Sequence, residues 1–255
     1  VLSAWAMAVL LAGVWRKEGT ETSVESAAAL RWLAVAGLLA AAVMNGWLYQ
    51  VTVLGEPGMI TVDRFRLFAN WILLLGAALT ILISVPYVVR QRLQAGEFYT
   101  LVLLATVGMM IMAGTRNLIL LYLAIETMSV AAYVLAGFNR GDRRSAEASL
   151  KYFILGAMSS AIFLYAISLF YALTGTTNLA GIAEAITAGG LETSKLTIAA
   201  LVLMASALGF KIAAVPFHVW APDAYSGGPT TVSLYITVAS KAAAFAVMMR
   251  IFLVA

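Results

Sequence analysis

The stretch "LTIAALVLMASALGFKIAAVPFHVW", Leu196 to Trp220, decides how the rest of the chain is read. It runs without a charge from Leu196 to Phe210, then places Lys211, and five residues later Pro216. About 20 apolar residues cross the hydrocarbon layer of a bilayer as a helix, so this is a membrane span that carries an ammonium group just ahead of a helix breaker. The surrounding composition agrees. Of 255 residues 63% are hydrophobic and 11% charged, where a soluble domain would carry about 25% charged residues. The expected fold is all-α: a polytopic transmembrane helix bundle with one discontinuous helix.

Working outward, eight stretches have the length of a span or nearly so: 1–15, 28–49, 65–89, 98–114, 117–138, 149–174, the interrupted 196–220, and 229–255. Only Thr115 and Arg116 separate the fourth from the fifth. Between the sixth and seventh, "TTNLAGIAEAITAGG" has the spacing of a short amphipathic helix lying on the membrane surface. The chain opens inside an apolar run and stops at "MMRIFLVA" without a polar tail, so it reads as part of a longer protein. No basic region precedes the first run and no cleavage site follows it, which argues against a signal peptide.

The absence of cysteine and the single histidine exclude disulfides, iron–sulfur ligation, haem attachment and a His/Cys metal cluster built by this chain alone. The net charge of +4 forms no continuous basic stripe, so no nucleic-acid partner is expected; the lipid bilayer is. The loops after the odd-numbered spans hold Arg16, Lys17, Arg90, Arg92, Arg140, Arg143 and Arg144. The opposite loops and flanks hold Arg64, Arg66, Arg116 and Lys195. The positive-inside rule puts the first set in the cytoplasm and the N-terminus outside.

Of the 12 carboxylates, Glu126 alone lies in the middle of a span, in "NLILLYLAIETMSVAAYVLAGF". Lys211 and Lys241, in "ITVASKAAAFAV", are the deeply placed bases; Lys151 in "SLKYFILGAM" lies near the start of the sixth span and Arg250 near the far end of the eighth. A charge at the centre of a membrane helix costs about 2.5–3.5 kcal/mol on insertion scales. One acid with several bases strung through the core suggests a proton path. Burial favours the neutral form of a lysine and a nearby carboxylate the charged form, so a lysine that gains and loses such a partner can load and release a proton. The alternative is a structural Glu–Lys pair that locks two helices, with Lys151 snorkelling to the interface. Pro216 cannot donate to the carbonyl of Ile212 and so bends or breaks the helix just after Lys211. Broken helices near the midplane are where transporters bind ions. His218 follows the break; an imidazole there is either a proton relay or a hydrogen-bonded residue of a helix-terminal turn.

"GFKIAAVPFHVWAPDAYSGGPTTV" (209–232) followed by "ASKAAAFA" (239–246) resembles the signature of the antiporter-like membrane subunits of NADH-quinone oxidoreductase, respiratory complex I. "LYLAIETMSVAAYVLAGF" and "RSAEASLKYFILGAMSSAIFLYAISLFYALTG" match in order and spacing, and subunit N is the most similar branch. "SGGPTTV" departs from the Glu-Gly-Ala-Pro-Thr that is more usual in the family and lacks its carboxylate. The resemblance is strong over about 97–255 and weak over 1–96.

It implies a fourteen-helix subunit with two inverted five-helix repeats, each holding a broken helix. Residues 1–96 would then be transmembrane helices 1–3 and residues 97–255 the first repeat, helices 4–8. By position, Glu126 matches the acidic residue of helix 5, Lys211 the lysine of broken helix 7, Lys241 that of helix 8, Lys151 that of helix 6, and His218 the histidine after the break. These would translocate protons, with no catalytic residue, metal or cofactor in this chain. NADH, FMN, iron–sulfur clusters and quinone are expected in partner subunits, the other membrane and peripheral subunits of complex I. The location implied is the bacterial inner membrane, an organelle membrane being the alternative. The competing assignments are an Mrp-type cation/proton antiporter subunit, a hydrogenase-related membrane subunit and a structural scaffold.

Overall fold

The computed structural model describes residues 1–15, 24–51 and 58–253. Its helices are α1 (Leu2–Trp15), α2 (Val24–Val51), α3 (Arg64–Arg90), α4 (Ala95–Gly114), α5 (Leu118–Ala136), α6 (Arg143–Thr174), α7 (Leu179–Ala188), α8 (Lys195–Ile212), α9 (Trp220–Gly227), α10 (Thr230–Tyr235) and α11 (Lys241–Leu253). The last two are joined through a π-helical turn, Ile236–Ser240, into one continuous rod.

Among the described residues, seven helices are long and apolar enough to cross a membrane: α2 to α6, α8 and the α10–α11 rod. The first expected span is the 14-residue α1, about 21 Å at 1.5 Å per residue against the roughly 30 Å of hydrocarbon. The expected surface helix is α7, capped by Asn178, whose side chain accepts from the amides of Ala180 and Gly181. α4 is the hub: it packs on α5, α1, α3 and α11. Its close fit against α5 requires Gly108, where a Cβ would come within 2.7 Å of the Met128 amide nitrogen and 2.8 Å of the Ala124 carbonyl. With no hydrophobic gain between helices in lipid, such small-residue contacts allow the backbones to approach.

The soft boundary between α4 and α5 is pinned from both sides. Thr115 bridges to Ile60 and Asn117 to Asn178, and the Asn117 side chain caps α5 while donating to Thr177 Oγ1 at 2.8 Å. Backbone bonds from Arg116 to Met59 and from Leu179 to Arg116 hold the turn between them. Beside them Asp63 caps α3 through the Arg66 amide at 2.7 Å. The same carboxylate takes two bonds from Arg250 of α11, at 2.9 and 3.1 Å. Arg250 is 3% exposed, and its Nε donates to the Ala113 carbonyl.

The helix directions place Arg90, Arg92, Arg140, Arg143 and Arg144 at one end of the bundle, and Arg64, Arg66, Arg116, Lys195 and Arg250 at the other. Arg16 and Lys17 lie outside the described residues.

Burial pushes the Asp63 carboxyl up, but the bonds from Arg250 and the Arg66 amide, with the charges of Arg250 and Arg116, outweigh it and hold the group below the ordinary carboxylate value. The ionised form is therefore favoured by folding. Its stabilisation is complete above about pH 4, the unfolded value, and is lost as pH falls through the lowered folded value. Asp63→Asn is expected to cost about 2–3 kcal/mol at neutral pH, because a buried arginine loses its charge partner. Thermal unfolding in detergent should show a lower midpoint and a flatter loss of stability below pH 4 than the parent.

Candidate functional site

Lys211 is the last-turn residue of α8, 5% exposed. α8 stops one residue later. Ala213 adopts the left-handed conformation (φ 58°), its amide donates to the Phe210 carbonyl, and the Ala214 amide donates to that of Gly209. This pair of bonds is a Schellman closure, here built on alanine rather than the usual glycine. The helix therefore ends earlier than the proline alone requires, four residues ahead of Pro216. The Trp220 indole closes the cap from the far side, donating to the Phe210 carbonyl at 2.9 Å. A helix C-terminus is thus held at membrane depth beside an ammonium group, and the partial negative charge of that terminus favours a cation. The lysine and the breaker belong together: the break supplies the field that the lysine needs.

The remaining partners of Lys211 come from α5. Its Nζ donates to Ser129 Oγ at 2.8 Å and to Tyr133 Oη at 3.4 Å, and lies 5.8 Å from the Tyr133 ring centre and 5.7 Å from that of Phe210. Ser129 in turn donates to the Ile125 carbonyl. Gly156 of α6 makes room for Tyr133; a methyl group there would overlap the phenol hydroxyl.

Glu126 stands one turn before Ser129 on the same face of α5. Its carboxylate accepts a hydrogen bond from Ser160 of α6 and lies within electrostatic reach of Lys211. No Glu126–Lys211 ion pair forms among the described residues; Ser129 and Tyr133 hold the ammonium instead. The expected acid and base are brought to one region, α5–α6–α8, but separated by neutral hydroxyls.

Lys241 opens α11 directly after the π-helical turn, with its Nζ 5.6 Å from the Tyr225 ring centre. Single π turns inside α-helices are frequent at functional sites. This one seats Ser240 against Met128, at 3.5 Å from its sulfur, so the π-helical turn meets α5 next to Ser129, the partner of Lys211. Lys151 stands apart: its side chain is 45% exposed and pairs with Glu147 at 2.8 Å and with Asp223 at 3.3 Å. That joins α6 to α9 at the end of the bundle rather than at mid-depth. His218 lies on the exposed break segment, where its carbonyl accepts from the Ala221 amide. Val215 beside it is 79% exposed. No cluster of His, Asp and Glu that could hold a metal occurs among the described residues.

Ser129, Tyr133, Ser160 and Trp220 are site residues that charge alone did not single out. The signal was present in "ETMSVAAY": Glu126, Ser129 and Tyr133 recur at i, i+3 and i+7, one polar stripe on an apolar helix.

With this geometry in view, residues 115–255 match the family model described as NADH:quinone oxidoreductase/Mrp antiporter, TM. The chain is 44% identical over 268 residues to NADH-quinone oxidoreductase subunit N 1 of Koribacter versatilis, covering 99% of this chain and 51% of the relative. It is 41% identical over 257 residues to subunit N of Trichlorobacter lovleyi, covering 100% and 51%. It spans about half the length of the curated relatives it matches. Among solved structures, a chain of "Respiratory complex I from Thermus thermophilus with bound Aureothin" superposes with a TM-score of 0.77 at 34% identity, covering 98% of this chain and 53% of that one. A chain of the archaeal membrane-bound sulfane sulfur reductase superposes at 0.76 with 22% identity, a likeness of fold alone. The chain belongs to the NADH:quinone oxidoreductase/Mrp antiporter membrane family.

Proposed function

We propose that the chain is the first half of a subunit N of NADH-quinone oxidoreductase, which moves protons through Lys211 and Lys241 as the complex reduces quinone. Residues 1–96 form the leading helices in this reading and residues 97–255 the first antiporter-like repeat. The other membrane and peripheral subunits are its partners, in a bacterial inner membrane. NADH, FMN, iron–sulfur clusters and quinone sit in those subunits, and this chain contributes no redox group. The observation that carries the reading is the seat of Lys211: a buried ammonium on a helix terminus, held by neutral acceptors and not by a carboxylate.

A structural clasp would place Glu126 directly on Lys211, since a buried charge left without its counter-ion costs several kcal/mol. Here both groups are held by hydroxyls instead. Tyr133 can accept from the ammonium or donate to the neutral amine, while Ser129, its own proton committed to the Ile125 carbonyl, accepts from either form, so both protonation states of Lys211 keep hydrogen bonds. Glu126 biases that equilibrium from a distance, and its own bond to Ser160 sets how much negative charge Lys211 feels. The exposed break between Ile212 and Trp220 frees backbone groups at a depth where only protein or a wet cavity can satisfy them. That gives the proton a way toward Lys211. Lys151, paired at the bundle end, and His218, on the break, are the entry-side groups of the path. Lys241, next to the contact of the π-helical turn with α5, is the next carrier.

Lys211→Ala, in the assembled complex reconstituted into vesicles, is expected to lower quinone reduction and proton uptake together by about a hundred-fold, the scale of losing a proton-transfer group. A variant that assembles on a native gel and still pumps would sink the reading. A paired Glu126→Gln, Lys211→Met variant separates transport from scaffolding. It should assemble with unchanged or higher thermal stability, as apolar replacement of buried charge often gives, yet remain unable to pump. Retained pumping in that variant would favour a purely structural role.

A further inference from the structure

The amphipathic helix α7 walls one side of an apolar cavity of about 140 Å³, and α5, α6, α8 and α11 wall the rest. Ile182 and Ile186 of α7, Phe170 of α6, Leu201 and Met204 of α8 and Ile251 of α11 line it. Among the described residues, no charged side chain does. An apolar cavity of this size, about 150 Å³ with Leu, Ile and Phe walls, stays dry and takes up hydrocarbon instead of water. The cavity is not sealed. Leu201 at its rim is 38% exposed, and Ile198 and Val202 beside it on α8 are exposed as well. It therefore opens onto the outer apolar side of a membrane-spanning helix, where the bilayer supplies the hydrocarbon.

A polar group stands on the same stripe of α8, toward the membrane edge. Thr197 precedes Leu201 and Met204 by four and seven residues, so the three share one face of the helix. At 1.5 Å per residue it lies about 6 Å nearer the start of α8 than Leu201. Thr197 is 2% exposed, and its hydroxyl has no hydrogen-bond partner among the described residues. Inside a helix a threonine can bond the carbonyl four residues back; here that carbonyl belongs to Thr193, ahead of the helix. A buried hydroxyl without a partner opposes folding, so an acceptor from outside the chain would stabilise it. Just above, α8 begins at the exposed Lys195, after Ser194, whose side chain makes no cap bond. The ammonium and the first amides of the helix favour an anion there.

We propose that the cavity and the start of α8 form a binding site for one glycerophospholipid molecule. An acyl tail fills the cavity between α7, α8 and α11. The ester carbonyl of that tail accepts from the Thr197 hydroxyl, and the phosphate lies at the start of α8 beside Lys195. Phosphate, ester and tail follow one another along a lipid in the order in which Lys195, Thr197, Leu201 and Met204 follow along α8. A hydrocarbon without a polar end would leave the Thr197 hydroxyl unpaired, and a free phosphate would leave the cavity empty. α7, which packs directly on α6, is joined through the tail to α8 and α11. The inference rests on the membrane fold and is independent of the proton-carrying role of Lys211.

Photolabelling tests this in the assembled complex, held in nanodiscs that contain phosphatidylethanolamine with a diazirine midway along one acyl chain. Irradiation is expected to label peptides from Leu179–Ala188 and Lys195–Ile212. Thr197→Val keeps the shape and removes the hydroxyl; it should assemble and lower that labelling about five-fold, the scale of one net hydrogen bond. Ala183→Leu fills the cavity from its α7 wall and should abolish the labelling. Should Ala183→Leu fail to assemble, Thr197→Val decides alone. Labelling that neither variant lowers would be contact with bulk bilayer and would overturn the site. An unlabelled parent would overturn it too, another protein segment then occupying the cavity. Equally strong labelling by a diazirine fatty acid would assign the site to a free carboxylate and overturn the phospholipid.

Discussion

The end of α8 at Ile212 is the constraint on which the rest depends. A helix stopped inside a membrane must satisfy its last carbonyls without water, and here the Ala213 and Ala214 amides and the Trp220 indole do so. Because Trp220 closes that cap, α9 folds back against α6, and the α10–α11 rod starts at the end of the bundle where α5 and α6 are joined. The same stop gives Lys211 a helix terminus to face. Cap, chain reversal and charge are consequences of one interruption in the hydrogen-bond ladder.

The molecule divides its polar groups by depth. At one membrane edge Asp63, Arg250, Thr115 and Asn117 are tied by charged or bidentate bonds and by backbone bridges. These rigid ties hold the end of α11 to the start of α3 and to the α4–α5 link. At mid-depth the partners are neutral: hydroxyls of Ser129, Tyr133 and Ser160, and aromatic faces. Strong pairs suit an anchor, since breaking one is costly. Hydroxyls that can donate or accept suit a place where a charge comes and goes. The contrast separates the charged ties at the edge from the neutral partners at mid-depth.

Lys151 and Lys211 illustrate how similar residues take different work from their surroundings. Both are lysines within apolar helices, yet Lys151 is nearly half exposed between two carboxylates, while Lys211 is buried among hydroxyls and rings. Glu126 sits between these cases. It is partly buried and bonded to Ser160, so its charge reaches Lys211 without contact. A direct pair would instead favour the charged form of the lysine.

Read without coordinates, the chain already showed its spans, its surface helix and its interrupted span, because hydrophobic length and periodicity are properties of contiguous residues. It also showed which ionisable groups lie deep, since a charge inside an apolar run is visible as such. What it could not show is contact between residues far apart in the chain. The turn through Ala213 precedes the proline that announced it, because an alanine in a left-handed cap leaves no composition signal. The Ser160–Glu126 bond, the Arg250–Asp63 clasp across 187 positions and the Lys211–Ser129 bond join helices that only packing brings together. Sequence alone determined where charge sits along each helix. The tertiary structure decided which neutral groups face that charge, because side-chain partners are set by how helices pack and not by their order.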